Sequence, residues 1–195
     1  MGGDKQRALL DGALRVFARD GYSRASVQTL AAEAGVSTRT IYNQYGNKES
    51  LFRAVILDSA NRVAEREIAQ ADRLLGRIAD LHRDLVTFGV AWATPDPAAE
   101  THFAMVRQIN ADAQHIDPAV LAAWRRAGPE RVRTAIAGHL RHHAEQGLLR
   151  IQDEQIAAMH LVQLTAGTVN ATGPTADVQR LVRAGVDVFL AAYGH

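Results

Sequence analysis

The chain has no cysteine among its 195 residues, which excludes a disulfide scaffold and a cysteine-ligated metal centre and leaves nothing to argue for an oxidising compartment. Long apolar runs are missing as well. No stretch approaches the roughly 18 residues that span a bilayer, and Asp11, Arg15 and Arg19 interrupt the first turns within the length of a signal peptide. Alternating apolar and polar positions bounded by turn residues are also scarce, which argues against sheets. What remains is 47% apolar and 22% charged residues with 6% aromatics, close to an average globular composition and far from disordered or collagen-like chains. A cytoplasmic, soluble, all-α protein with no membrane association is expected.

Charge of one sign is lacking too, since the net charge is +1. Taken whole, that argues against a nucleic-acid partner, because affinity for a phosphate backbone comes from concentrated Lys and Arg. The average conceals a division. Residues 1–50 carry seven basic and five acidic residues, whereas residues 51–195 carry 15 basic and 16 acidic ones and all eight histidines. Two domains with different tasks, 1–50 and 51–195, are expected.

Spacings of three and four predict about nine helices. Leu10, Ala13, Leu14, Phe17 and Ala18 form the stripe of a first helix over 4–20, stopped by Gly21. Ser26 caps a second helix that buries Val27, Leu30, Ala31 and Ala34 and ends at Gly35. Ser37 caps a third over 38–45, and Asn47 a fourth over 48–73, about 40 Å long at about 1.5 Å per residue. Further helices are expected over 74–92, 98–113 and from Asp117 to Gly147 with a kink at Gly128-Pro129, and then over 153–172 and 175–193.

The second and third helices, joined through Gly35, Val36 and Ser37, have helix-turn-helix spacing. Ala31 permits close approach, Gly35 takes a positive φ, and Ile41 anchors the second helix of the pair on the first. With Ile41 set at 0° and about 100° per residue, Tyr45 and Thr38 fall beside the buried side at about 40° and 60°, whereas Arg39 and Asn43 point outward at about 160° and 200°. Thr40 and Tyr42 flank that face. Arg suits guanine O6 and N7, Asn suits adenine N6 and N7, and hydroxyls reach phosphates. Ser26 and Ser37 at helix N-termini, and Lys5 and Lys48, the only lysines of the chain, are further anion-binding positions.

Gly21-Tyr22, Ser26-Val27, Leu30-Ala31, the run from Ala34 to Tyr45 and Asn47-Lys48-Glu49-Ser50-Leu51 together resemble the DNA-binding signature of the TetR family of transcriptional regulators, over about 50 residues. The stretch from Phe103 through Trp124 and Gly128-Pro129 to Gly147-Leu148-Leu149-Arg150 is similar to the AefR-like ligand domain. The resemblance implies an N-terminal three-helix DNA-binding domain followed by a helical ligand-binding and dimerisation domain, in a repressor that binds a palindromic operator as a homodimer and is released by a small, mostly apolar effector. It implies phosphate contacts at Ser26, Thr40, Tyr42 and Lys48 and base contacts on the recognition helix. The full DNA-facing set is Ser26, Gln28, Ser37, Thr38, Arg39, Thr40, Tyr42, Asn43, Gln44 and Lys48. Two positions depart from the family: Arg39 stands where a small residue is usual and Gln44 where His or Tyr is common, so the operator preference does not transfer.

Enzyme chemistry has little to rest on. Only one acid, Asp112 before His115, stands three residues ahead of a histidine, so a di-iron Glu-x-x-His pair is missing. His139 and His143, one turn apart and with His142 nearby, are a metal-binding alternative to a solvated or pocket-lining pair. Gly-x-Ser-x-Gly and phosphate-loop patterns are absent. No catalysis, metal or cofactor is expected. A ligand pocket is expected to draw on Phe88, Trp92, Phe103, Met105, Gln108, Trp124, His139, Met159, Gln163 and Asn170. The apolar stripe of the last two helices exceeds what one bundle partner needs, and Ala158, Leu161, Thr165, Val182, Gly185, Val186 and Phe189 are expected at a two-fold interface. Two other readings stay open: a helical metal- or small-molecule-binding enzyme with a degenerate helix-turn-helix, and a DNA-binding dimer without a ligand.

Overall fold

A computed structural model describes residues 3–94, 96–173 and 177–195. Its helices are α1 (Gly3–Arg24), α2 (Val27–Glu33), α3 (Thr38–Tyr45), α4 (Lys48–Leu75), α5 (Leu81–Ala93), α6 (Glu100–Ala111), α7 (Pro118–Ala127), α8 (Pro129–Glu145), α9 (Glu154–Val162), α10 (Thr168–Thr172) and α11 (Val178–Tyr193). Single 3-10 turns precede and follow α6, and a π-helical turn, Gln163–Gly167, joins α9 to α10. Among the described residues the one extended pairing is an isolated antiparallel bridge between Leu149 and Gly194.

The helix starts follow from short polar side chains. Ser26 and Ser37 accept the backbone N–H groups of Thr29 and Thr40 at 3.0 and 3.1 Å, and Asn47 accepts that of Ser50 at 2.7 Å. Each such cap contributes about 1 kcal/mol by satisfying an N–H that no turn of helix can reach. Asp80, Asp117, Asp153 and Asp177 do the same for α5, α7, α9 and α11. The expected start at Thr175 lies outside the described residues.

Two boundaries differ from expectation. Leu74 and Leu75 end α4 instead of opening the next helix, and Ile78 lies in the connection between them. Apolar period marks a buried face but not where a helix stops; the stop comes at Gly76. The next start is made by acids, because Asp80 accepts the N–H of Arg83 while Asp84 accepts those of Ala79 and Asp80 at 2.7 and 3.0 Å. These backbone bonds hold the Asp84 carboxyl below its ordinary range. Gly21 bends α1 instead of ending it, with φ 78° and ψ 171°, and one further turn runs to Arg24.

The chain forms two compact units, Met1–Ala64 with Asp96–Pro129, and Glu65–Pro95 with Glu130–His195. They do not follow the charge division at residue 50, because α6 and α7 pack with the N-terminal helices. In the first unit α1 packs on α6 more extensively than on any other helix. Leu14, Phe17, Leu30, Ile41, Phe52, Ile56, Met105, Ile109 and Trp124 share its core, with Phe17 edge-on to Phe52 at 5.0 Å. Arg7, Asp58, Arg62 and Asp11 link α1 to the first half of α4, with N–O separations of 3.1, 2.9 and 2.9 Å. In the second unit α11 packs on α5 and on the π turn, with Leu85, Phe88, Leu161, Val182, Val186 and Phe189 buried.

Candidate nucleic-acid interface

The α2–α3 pair is held as the sequence leads one to expect. Ile41 is fully buried, Ala31 is nearly so, and Gly35 has φ 64°, in the left-handed region that disfavours a side chain. A contact the sequence did not reveal is Gly12 of α1: a β-carbon there would stand 2.8 Å from the Ala34 α-carbon, so α1 and the end of α2 pack backbone to backbone.

On α3, Arg39, Asn43, Gln44 and Tyr42 are exposed, Tyr42 by 51%, while Thr38, Thr40 and Tyr45 are half-buried. A large aromatic half in water on a short helix is unusual for a core element and suits a surface kept for a partner. Gln28 on α2 is exposed, as are Ser26 and Ser37. Both serine hydroxyls are already engaged, Ser26 with the Thr29 hydroxyl at 2.8 Å and Ser37 with that of Thr40 at 2.9 Å. Capping is thus their structural work, and a bound phosphate would share those hydroxyls.

Lys48 opens α4 and is half-buried. Its ammonium donates to the carbonyls of Tyr22 and Ala25 at 3.0 and 3.1 Å and lies 4.7 Å from the centre of the Tyr22 ring. That ring packs on Phe52 at 4.7 Å, and burial first, then the Glu49 charge, raises the Tyr22 phenol above its ordinary pKa. Lys48 and Tyr22 are 26 residues apart, and no local pattern signals the pairing.

The ten residues expected to line a ligand pocket do not converge within one unit. Phe103, Met105, Gln108 and Trp124 belong to the first, where Met105 and Trp124 are core and Phe103 is 39% exposed. Phe88, Trp92, His139, Met159, Gln163 and Asn170 belong to the second. There Phe88 is buried with Trp92 packed on it at 4.9 Å, while Met159, Gln163 and Asn170 are exposed. Apolar spacing marks burial, and most of these aromatics serve packing. The histidines have partners on α4: His139 meets the Asp72 carboxylate at 2.8 Å, and the buried His143 donates from Nε2 to the Leu75 carbonyl at 2.7 Å, completing the last turn of that helix.

The seven residues expected at a two-fold interface need correction. Ala158, Leu161, Thr165, Val182, Gly185, Val186 and Phe189 are all buried within the single chain, spent on packing α11 against α5 and the π turn. A stripe of small and aliphatic residues reads alike whether it meets its own chain or another. The large apolar residues these helices leave outward are Ile156, Met159 and Val188, the last 55% exposed.

Known proteins place this architecture. Residues 9–55 match the model of bacterial regulatory proteins of the tetR family, and residues 97–195 match that of the AefR-like transcriptional repressor C-terminal domain. The transcriptional repressor AcnR of Corynebacterium jeikeium is 30% identical over 158 residues, covering 79% of this chain and 74% of that protein. The transcriptional repressor Rv1474c of Mycobacterium tuberculosis is 34% identical over 77 residues, 40% of each chain. The chain thus spans well under two thirds of the latter's length. A solved structure described as a TetR-family transcriptional regulator from Mesorhizobium loti superposes with a TM-score of 0.83 at 26% identity, over 98% of both chains. The flavonoid-responsive regulator FrrA shares the fold at a TM-score of 0.70 and 24% identity, over 99% of this chain and 98% of that one. With matches that take in the helix-turn-helix and more than half of the chain beyond it, this protein belongs to the TetR family of DNA-binding transcriptional regulators and carries an AefR-like C-terminal domain.

Proposed function

We propose that the protein is a homodimeric repressor that binds a palindromic operator and leaves it when a small, mostly apolar effector binds. The outward side of α3 carries this reading: Arg39 and Asn43 are exposed one turn apart, on a helix packed by Ile41 in the family's own motif. Arg39 reads guanine and Asn43 reads adenine in the major groove, and Ser37, Thr38, Thr40, Tyr42 and Gln44, with Ser26 and Gln28 of α2, approach the backbone around them. Two copies of one helix reach two half-sites related by the protein's two-fold axis. The outward residues Ile156, Met159 and Val188 supply the apolar surface for a second copy through the last helices.

Effector response is supported by relatives that are named for it, among them the flavonoid-responsive FrrA. An effector that fits the two states of the protein unequally shifts the population away from DNA. In the second unit Trp92, half-buried on Phe88, is the aromatic surface that such a ligand would meet. A gel-shift assay on the DNA immediately upstream of the protein's own gene tests the reading. A salt-sensitive shift is expected, and an unshifted fragment at low salt defeats it.

A further inference from the structure

The second half of α4 carries an acid on its buried side. With Glu67 set at 0° and about 100° per residue, the buried Val63, Ala60, Ala71, Ala64 and Leu75 fall between about −40° and 80°, and the exposed Glu65, Arg66 and Arg73 lie about 100° or more away. Glu67 therefore stands in the middle of an apolar stripe, on the face that the helix turns inward. Its side chain is half-buried, and among the described residues it has no hydrogen-bond or ion-pair partner. The other acids of α4 differ: Glu49 and Glu65 are in water, Asp58 pairs with Arg7 and Arg62, and Asp72 pairs with His139.

α8 runs beside this half of α4, to which it brings two titratable side chains. His139 is spent on Asp72, and His143 donates from Nε2 to the Leu75 carbonyl, which leaves its buried Nδ1 without a donor. Two acceptors of the second unit thus lack a donor, the Glu67 carboxyl and the His143 ring nitrogen. A carboxylate in surroundings that screen it little attracts a cation and repels an anion. Burial raises the Glu67 carboxyl to about 7, so near neutral pH the free protein holds it partly protonated, and a cation selects the ionised form. A metal ion needs more acid or imidazole ligands than this, and among the described residues no three such side chains stand together. An ammonium group supplies N–H donors of its own, and the alanine, valine and leucine side chains beside Glu67 suit an apolar body.

We propose that Glu67 anchors a binding site in the second unit for a protonated amine carried on an apolar body. The proposal deepens the effector reading above and rests on it for any consequence at DNA.

The test titrates the full chain by isothermal calorimetry with octylamine, octanol and octanoate, which share one apolar body and differ in charge. It is repeated on Glu67→Gln and on Glu65→Gln, whose acid faces away at about 160°. The wild type is expected to bind octylamine about tenfold more tightly than octanol, and octanoate most weakly. Glu67→Gln should bring octylamine down to octanol, whereas Glu65→Gln should keep the preference. Because the Glu67 carboxyl ionises at about 7, wild-type affinity for octylamine should rise about tenfold from about pH 6 to about pH 8, and that of Glu67→Gln should stay level. No binding at millimolar octylamine, equal binding of the three, or an unchanged preference in Glu67→Gln overturns the proposal. Octylamine that binds through Glu67 yet leaves the upstream fragment shifted in the gel assay defeats the effector reading and upholds the amine site.

Discussion

Gly185 of α11 lies against the carbonyl oxygen of Leu164, so near that a β-carbon at position 185 would overlap it. Leu164 belongs to the π turn, where its carbonyl also accepts the Thr168 hydroxyl at 3.0 Å. A β-carbon at Gly89 of α5 would stand 2.6 Å from the Val182 side chain of α11 and 3.1 Å from that of Thr165 in the same π turn. The backbones of α11 and the π turn thus meet directly, and the glycines on α5 and α11 are required by contact, not by conformation.

Gly185→Ala is therefore expected to destabilise the protein by about 3 kcal/mol, since the clash is with backbone and no rotamer relieves it. Gly138, in the middle of α8 with nothing within 4 Å of its would-be β-carbon, is the control. Gly138→Ala should stabilise by about 0.5–1 kcal/mol through helix propensity. Urea denaturation midpoints of the two variants check both signs, and equal effects would contradict the packing described.

Arg39→Ala should relax base preference at one operator position per half-site, costing about 1–3 kcal/mol on the preferred base and little on the other three. Affinities for fragments substituted base by base measure this. A uniform loss over all substitutions would show that Arg39 serves the backbone instead.

Burial raises the Glu67 carboxyl to about 7 from an ordinary 4.5, and the Arg66 charge offsets this only in part. Between those values the folded chain holds a proton that the unfolded chain has lost, so this group's contribution to stability is greatest at the acidic end and declines as pH rises through the window. Glu67→Gln should leave stability near pH 5 little changed and raise it at pH 8 by on the order of 2 kcal/mol. Denaturation at both pH values reads the difference; an equal effect at the two would rule out ionisation as the cause.

Val188→Glu should leave the fold intact and break the homodimer, because Val188 is outward on α11 and a carboxylate at the centre of an apolar interface is left unpaired. Sedimentation velocity should show a monomer, with loss of binding to a two-half-site fragment. Val182→Glu, aimed at the protein's own core, should unfold it instead. A dimeric Val188→Glu protein would move the interface elsewhere.

The recognition helix was legible in the sequence because its cap, its turn and its outward pair are each set within a few residues. The Ser37 cap, the left-handed Gly35 and the four-residue spacing of Arg39 and Asn43 are local, and the structure places each as its spacing implies. The apolar stripe on the last helices was legible as a buried face but not as a face of its own chain, since Val182 or Phe189 would read identically against a second copy.

By itself, then, the sequence determined the helical class, the caps of α2, α3 and α4 and the outward pair on α3. These rest on composition and on interactions spanning three or four positions, which helical geometry converts directly into faces and ends. Tertiary structure alone decided what each face meets: Asp112 with Ser23 across 89 residues, Arg62 with Asp11 across 51, and Gly185 with Leu164. A helical period states that a side is buried, and only the packed chain supplies the atom that buries it.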